Sequence, residues 1–398
     1  MRLRTRTGPV HLTYCLNVHP GETWAEHRES IQTAACAVRD RLGWRQPFGL
    51  GLRLGARAAA ELDDPAKVRE VAGFLAALDL YAFTINGFPY GAFHHTRVKE
   101  NVYAPDWADP RRADYTLRLA RILAGLLPDG VPGSISTVPG TYRRWEQPGT
   151  VARIAVNLAA VAASLSALEE ETGRRIVLAL EPEPDCLWDE SDQIVRFFQG
   201  ELLRHGGPQV VAQRQTTPAR AEDILRRYVG VCLDTCHQSV LFEPPADALR
   251  RLRAAGIAVA KIHVSAAPIF ATTAMALEQA RAFVDSCYLH QSCLASSAGQ
   301  QRFPDLPEAI AAAAALAGEG ELRTHFHIPL VVAGGPGFRS SRCELDTRFW
   351  EQVTAGAAAH VEVETYTFAV LPPELRRLPL VESLAAELAW TQRQLTAG

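Results

Sequence analysis

The chain has 398 residues, 47% hydrophobic and 21% charged, enough for one large core or two ordinary ones and too apolar for a disordered protein. Its 41 basic and 44 acidic residues form no long block of either sign, which argues against a nucleic-acid or anionic-membrane footprint. The basic N-terminus lacks the apolar segment of a secretory signal, no stretch reaches the ~20 apolar residues that cross a bilayer, and the eight cysteines show neither zinc-ribbon spacing nor disulfide density, so a reduced, cytoplasmic protein is expected.

Residues 11–22 read as a strand ending in Asn17 and His19, followed by a helix over 24–42. A short strand at 49–54 precedes a helix over 64–78 with Asp64 as N-cap and Pro65 at the first helical position. The stretch 81–91, YAFTINGFPYG, is a strand running into a long polar and aromatic loop. A helix over 112–127 leads to a strand at 133–140, and the Ala-rich helix 150–172 to RIVLALEPEP at 175–184, a strand ending in two carboxylates. After a helix near 191–203 comes VGVCLDTCHQ at 229–238, whose apolar run suits a buried parallel strand with its polar residues gathered at the C-terminal end. A helix over 246–255, the strand 257–267, a packed helix at 307–316 and two further strands, 323–330 and 360–368, complete the series.

Such alternation forces parallel strands joined by right-handed crossovers. A closed barrel and an open doubly wound sheet both satisfy that rule. No Gly-rich phosphate loop follows the first strand, and polar residues cluster after almost every strand, so the expected fold is a single α/β domain over 1–398, a (β/α)8 TIM barrel. Its long insertions, about 88–111 and 268–305, fall on the C-terminal face. Nine strands are candidates for eight places, so one lies outside the ring.

Side chains alternate along a strand, so parity places Glu181 with Glu183, Cys232 with Asp234, Lys261 with His263, His325 with His327 and Glu362 with Glu364. Five strand tips thus offer Glu, Asp with His, His, His with His, and Glu. Each alone has a structural explanation, such as an N-cap or a hydrogen-bonded core histidine. Together, burying so many ionisable groups without a cation is costly. This mixture of carboxylate oxygen and imidazole nitrogen suits a divalent manganese, zinc, iron or cobalt ion.

The order Glu, Asp-x-x-His, His, Glu at successive tips resembles the xylose-isomerase-like superfamily of TIM barrels, which takes in sugar isomerases, sugar and sugar-phosphate epimerases and AP endonucleases. Over TYCLNVHPGETW, NGFPYGAFH, VKENVYAPDW, STVPG, LEPEPDC, CLDTCH, YLHQ, HFHIPL and VEVETYTF with VLPP, spread from residue 13 to residue 373, the chain is similar to the EboE family of "metabolite traffic" proteins of bacterial ebo gene clusters. The resemblance implies a metal held by Glu181, Asp234, His237 and Glu364. It leaves the next imidazole open: His263 and His327 both lie between Asp234 and Glu364, and both are retained as ligands.

For the chemistry, Glu181 or Glu364 is ligand and base, Glu183 a supporting partner or general base, and Lys261 either reaches the pocket or is structural. The loop 86–107 is the expected substrate contact. It offers Asn86, Tyr90, His94, His95, Arg97, Lys99 and Tyr103, with the two cations placed to hold a phosphate or carboxylate, and Asn17 and His19 join from the first tip. The expected activity is metal-assisted isomerisation or epimerisation of a small polyhydroxylated metabolite, a sugar, a cyclitol or a phosphate of one, with other ebo-cluster proteins as associates. A metal-dependent phosphoesterase on a small substrate, with His94, His325 and His327 completing a multinuclear site, is the alternative; a non-catalytic metabolite carrier is the third.

Overall fold

The computed structural model describes residues 1–396. A short strand β1 (Arg2–Thr5) turns back antiparallel to β2 (Gly8–Tyr14). Then follow β3 (Phe48–Arg53), β4 (Leu80–Asn86), β5 (Gly133–Thr137), β6 (Ile176–Leu180), β7 (Val229–Asp234) and β8 (Val259–Val264). Six shorter strands come next: β9 (Pro268–Ala271), β10 (Ser292–Ser296), β11 (Gly299–Phe303), β12 (Gly320–Thr324), β13 (Gly334–Gly335) and β14 (Phe338–Ser340). The last is β15 (His360–Val363).

The large sheet has the order β1-β2-β15-β8-β7-β6-β5-β4-β3, and every pairing within it beyond β1 is parallel. Its ends meet where Cys15 bridges Gly51 in parallel, just past β2 and within β3, and the Thr13 hydroxyl donates to the Gly49 carbonyl at 2.7 Å. β2 to β8 and β15 therefore form a closed ring of eight. Strands β3, β6 and β7 are buried along their whole length, which is why they read as apolar runs instead of alternating ones.

Closure depends on a glycine. A Cβ built on Gly51 would lie 1.6 Å from Glu362 Oε1 and 3.1 Å from the Tyr14 carbonyl, so only a residue without a side chain lets β3 approach the interior carboxylate.

The surplus strand is resolved. The expected barrel strand 323–330 is instead β12 followed by an extended, unpaired segment, and β12 belongs to a separate antiparallel sheet of order β11-β10-β12-β9-β14-β13. The insertion after β8 accordingly runs from 265 to 359, much longer than the expected 268–305. It folds over the barrel mouth and locks to the loop after β4, where the backbone N–H groups of Val98 and Lys99 donate to the Cys287 carbonyl at 2.9 and 3.0 Å.

Asp64 caps the helix Pro65–Ala77 as predicted, its carboxylate accepting from the Ala66 N–H at 2.8 Å. The helix Thr150–Thr172 corrects one expectation: it is long and apolar enough to cross a bilayer by length and composition. Here half of that apolar window is buried, with Ile154, Leu158, Val161, Ala162 and Leu165 in the core.

Candidate metal centre

Strand β7 delivers Asp234 to the barrel mouth, where the helix Thr235–Val240 begins. Asp234 Oδ1 accepts from the N–H groups of Cys236 (2.7 Å) and His237 (2.9 Å) and from Ser265 Oγ (2.7 Å), so this oxygen is the helix cap. Its other oxygen, Oδ2, is buried without a hydrogen-bond partner, and so is Glu181 Oε2 from the tip of β6. Capping and ligation, alternatives in the sequence, are thus open to the two oxygens separately.

His263 Nδ1 lies 2.8 Å from Glu181 Oε1, 3.2 Å from Glu364 Oε2 and 3.9 Å from Asp234 Oδ2. These four residues bring one donor atom each to within 4.8 Å of one another, all buried. Glu364 is fixed from the other side by the amides of Asn17 (2.8 Å) and Asn86 (3.0 Å), both donating to Oε1. Burial alone would raise the Glu364 carboxyl, but the charge and hydrogen bond of His263, with His327 and His237 behind, carry it well below the usual carboxylate range. His263 is raised well above an ordinary histidine: burial opposes its charge, and Cys232, Glu181 and Glu364 outweigh that. The pocket favours positive charge at this point.

A second set stands beside the first. His237 Nδ1 is 2.9 Å from the Pro182 carbonyl, His325 Nδ1 2.8 Å from Gln291 Oε1 and His327 Nδ1 3.0 Å from the Glu364 carbonyl. A carbonyl only accepts, so each Nδ1 carries the proton. The Gln291 amide is oriented by its own nitrogen, which donates to the Pro184 carbonyl at 3.1 Å. In their neutral form the three imidazoles turn bare Nε2 lone pairs on one another, at 3.1 Å (His237 to His325) and 3.2 Å (His325 to His327), and His237 is raised above its usual value because Asp234, Glu183, Glu181 and Glu364 outweigh its burial. Metal–nitrogen bonds of about 2.0–2.1 Å in a tetrahedral site place ligand nitrogens about 3.3 Å apart. The spacing fits a cation, and Asp234 stands with His237 and His327 as well as in the carboxylate set. His325 is held well below its usual value by burial and by its two imidazole neighbours, consistent with a neutral ligand.

Glu183 lines the pocket beside both sets. Burial pushes its carboxyl up to about 7 against the opposing pull of His237 and of the Tyr103 hydroxyl, which donates to Oε1 at 2.8 Å. Of the other predicted residues, Asn17, Asn86 and Lys99 line the pocket, together with Glu181, His237 and Glu364. Lys261 does not. It is fully buried in the barrel interior below His263 and ion-paired with Glu362, so parity gave its face but not its depth. His19 is turned to the Tyr14 hydroxyl (2.9 Å), and His94 to the Asn17 carbonyl and the Tyr288 hydroxyl (3.2 Å), which removes His94 from the multinuclear set. Tyr90 and Arg97 border a separate, shallow depression. Tyr103, expected as a substrate contact, instead donates to Glu183. Gln291 and Glu362 support the site without having been singled out; the signal for Gln291 was its place in the YLHQ stretch, and for Glu362 its parity with Glu364.

No protein-family model matches the sequence, and no curated protein matches it. Solved structures do match in shape. The IOLI protein with a binding zinc atom superposes with a TM-score of 0.45 at 13% identity, covering 97% of this chain and 98% of that one. A xylose isomerase domain protein from Alicyclobacillus acidocaldarius gives 0.45 at 13%, covering 96% and 98%, and one from Planctomyces limnophilus gives 0.43 at 12%, covering 89% and 92%. The closed ring of eight parallel strands makes the chain a (β/α)8 barrel.

Proposed function

We propose that the chain is a metal-dependent isomerase or epimerase of a small polyhydroxylated carbonyl compound, working in the cytoplasm in secondary-metabolite processing or trafficking, as its likeness to the EboE family implies. The observation that carries the reading is the buried set Glu181, Asp234, His263 and Glu364, with donor atoms within 4.8 Å and unpartnered carboxylate oxygens among them. A divalent ion bound there supplies electrostatic stabilisation of an oxyanion on the substrate. Glu364, held as an anion by two amide donors, orients; it is a poor proton carrier. Glu183 is the better one, because a carboxyl near 7 both takes and returns a proton at neutral pH. Tyr103 and Gln291 fix its position.

The adjacent imidazole set favours a second reading, hydrolysis of a small phosphoester at a two-metal centre built on His237, His325, His327 and a shared Asp234. Elemental analysis of protein prepared without an affinity tag separates them, alongside Asp234→Ala/His237→Ala and His325→Ala/His327→Ala. The metal reading expects near-stoichiometric manganese, zinc, iron or cobalt, lost in the first variant; unchanged content there would overturn it. The isomerase reading expects the second variant to keep one equivalent and still exchange substrate C–H for deuterium in heavy water over a panel of ketoses and cyclitols. The hydrolase reading expects phosphate release that disappears with the second equivalent.

A further inference from the structure

We infer that the substrate joins one oxygen-rich end to an apolar arm and carries no anionic group outside the metal-facing end. This inference rests on the reading of the site as a metal centre. The pocket is divided. Its floor is polar: Glu181, Glu183, His237, His325 and Glu364 with Asn17, whose buried Oδ1 has no hydrogen-bond partner and is free to accept from a substrate hydroxyl. Its wall is made by Phe88, Phe93, Val98, Val102, Tyr288 and Leu289.

Phe93, Tyr288 and Tyr366 pack ring against ring, with centroids 5.3 Å (Phe93 to Tyr288), 5.3 Å (Phe93 to Tyr366) and 5.2 Å (Tyr288 to Tyr366) apart. The hydroxyls that would make such a wall polar have partners already: Tyr288 with His94 Nδ1 at 3.2 Å, Tyr103 with Glu183 at 2.8 Å, and Tyr366 with His325 Nε2 on the floor at 3.4 Å. A polyol running up this wall would leave hydroxyls unpaired, at a cost of about 1–3 kcal/mol each.

Charge gives the second, independent observation. Lys99 is the one cationic side chain among the pocket-lining residues, and it is already neutralised, with its ammonium 2.7 Å from Asp305 and 3.3 Å from the Asp285 carbonyl. Buried Arg53 is spent on Glu22 and on the Gly91 carbonyl at 2.6 Å. Among the described pocket-lining residues no lysine or arginine is left to receive a phosphate or carboxylate away from the metal-facing floor, contrary to the expectation for Lys99 and Arg97.

The test uses chelating probes on the zinc-loaded and cobalt-loaded full chain: acetohydroxamate, hexanohydroxamate and fructose 1-phosphate, by calorimetry and by the cobalt visible spectrum. Each buried methylene raises affinity about fourfold, so hexanohydroxamate is expected to bind at least about tenfold tighter than acetohydroxamate and to outcompete fructose 1-phosphate. Phe93→Ala/Leu289→Ala is expected to remove the difference between the two hydroxamates while leaving acetohydroxamate binding and the cobalt spectrum in place. Equal affinity of the two hydroxamates, or tighter binding of fructose 1-phosphate, would overturn the apolar arm and leave the metal reading intact. No spectral change with any probe would overturn both.

Discussion

Glu362 lies one layer below the donors, accepting from His263 Nε2 at 2.9 Å and pairing with Lys261. An imidazole has two nitrogens, and a proton fixed on Nε2 leaves Nδ1, the atom beside Glu181 and Glu364, as the one where a metal cation would take the place of the second proton. Burial would raise the Glu362 carboxyl; Lys261 and His263 hold it below its usual range, so it stays an acceptor. Glu362→Gln offers an amide that also donates, and the tautomer is no longer dictated. Zinc affinity, measured by chelator competition, is expected to fall about 10–100-fold with the far-ultraviolet circular dichroism spectrum unchanged; undiminished affinity would count against the role. Alternation along a strand puts Lys261, His263, Glu362 and Glu364 inside the barrel, and that much is legible in the sequence. Which of them reaches the mouth depends on the stagger of neighbouring strands, here Asp234 against His263 and His263 against Glu362, and no single chain segment encodes it.

At the scale of the elements, β6 and β7 announce themselves because burial on both faces demands continuous apolar residues, and the rule that strand tips carry the chemistry then finds Glu181, Asp234 and His237. The same reasoning misplaces β12, since a strand of an inserted antiparallel sheet and a strand of the ring look alike until their partners are known. His325 and His327 do face the pocket, but not as strand positions: they sit past the end of β12, held by Gln291 and by the Glu364 carbonyl instead of by a ladder. Barrel closure at β3 makes its own prediction. Gly51→Ala drives a methyl into Glu362 Oε1, and since the Tyr14 carbonyl closes the other side, the strand must shift. Overpacking of this kind costs about 1–3 kcal/mol or more, so the variant is expected to unfold at lower urea concentration than the parent and to bind zinc less well, because the carboxylate it strikes is the one that orients His263.

For the molecule as a whole, the helix Leu380–Thr396 ties the insertion to the barrel through a buried carboxyl. Glu387 accepts from the Leu330 N–H and the Thr365 hydroxyl, both at 2.9 Å, one near His327 and the other next to Glu364. Burial pushes it from 4.5 up to about 7 against the hydrogen bonds it receives. A carboxyl raised on folding binds more protons in the native than in the unfolded state between those values, so its stabilisation is complete below about pH 4.5 and is lost as pH rises through about 7. The shift corresponds to about 3 kcal/mol. Glu387→Gln, a neutral mimic, is expected to match the parent in urea denaturation at pH 4.5 and to exceed it at pH 8. Equal stability of the two at pH 8 would show that Glu387 titrates normally.

Strands β8 and β15 are hydrogen-bonded neighbours, although the whole inserted sheet lies between them in the chain. Splicing Val264 to His360 through a short loop would leave the ring of eight able to close, with Glu181, Asp234, His263 and Glu364 still on its own strands and loops. It would remove His325, His327, Gln291, Tyr288 and Leu289 together. The carboxylate set and His237 are native to the barrel, whereas the other two imidazoles and part of the apolar wall are a graft. Such a graft can be exchanged as one cassette, changing the number of donors and the shape of the cargo it admits without disturbing the frame beneath.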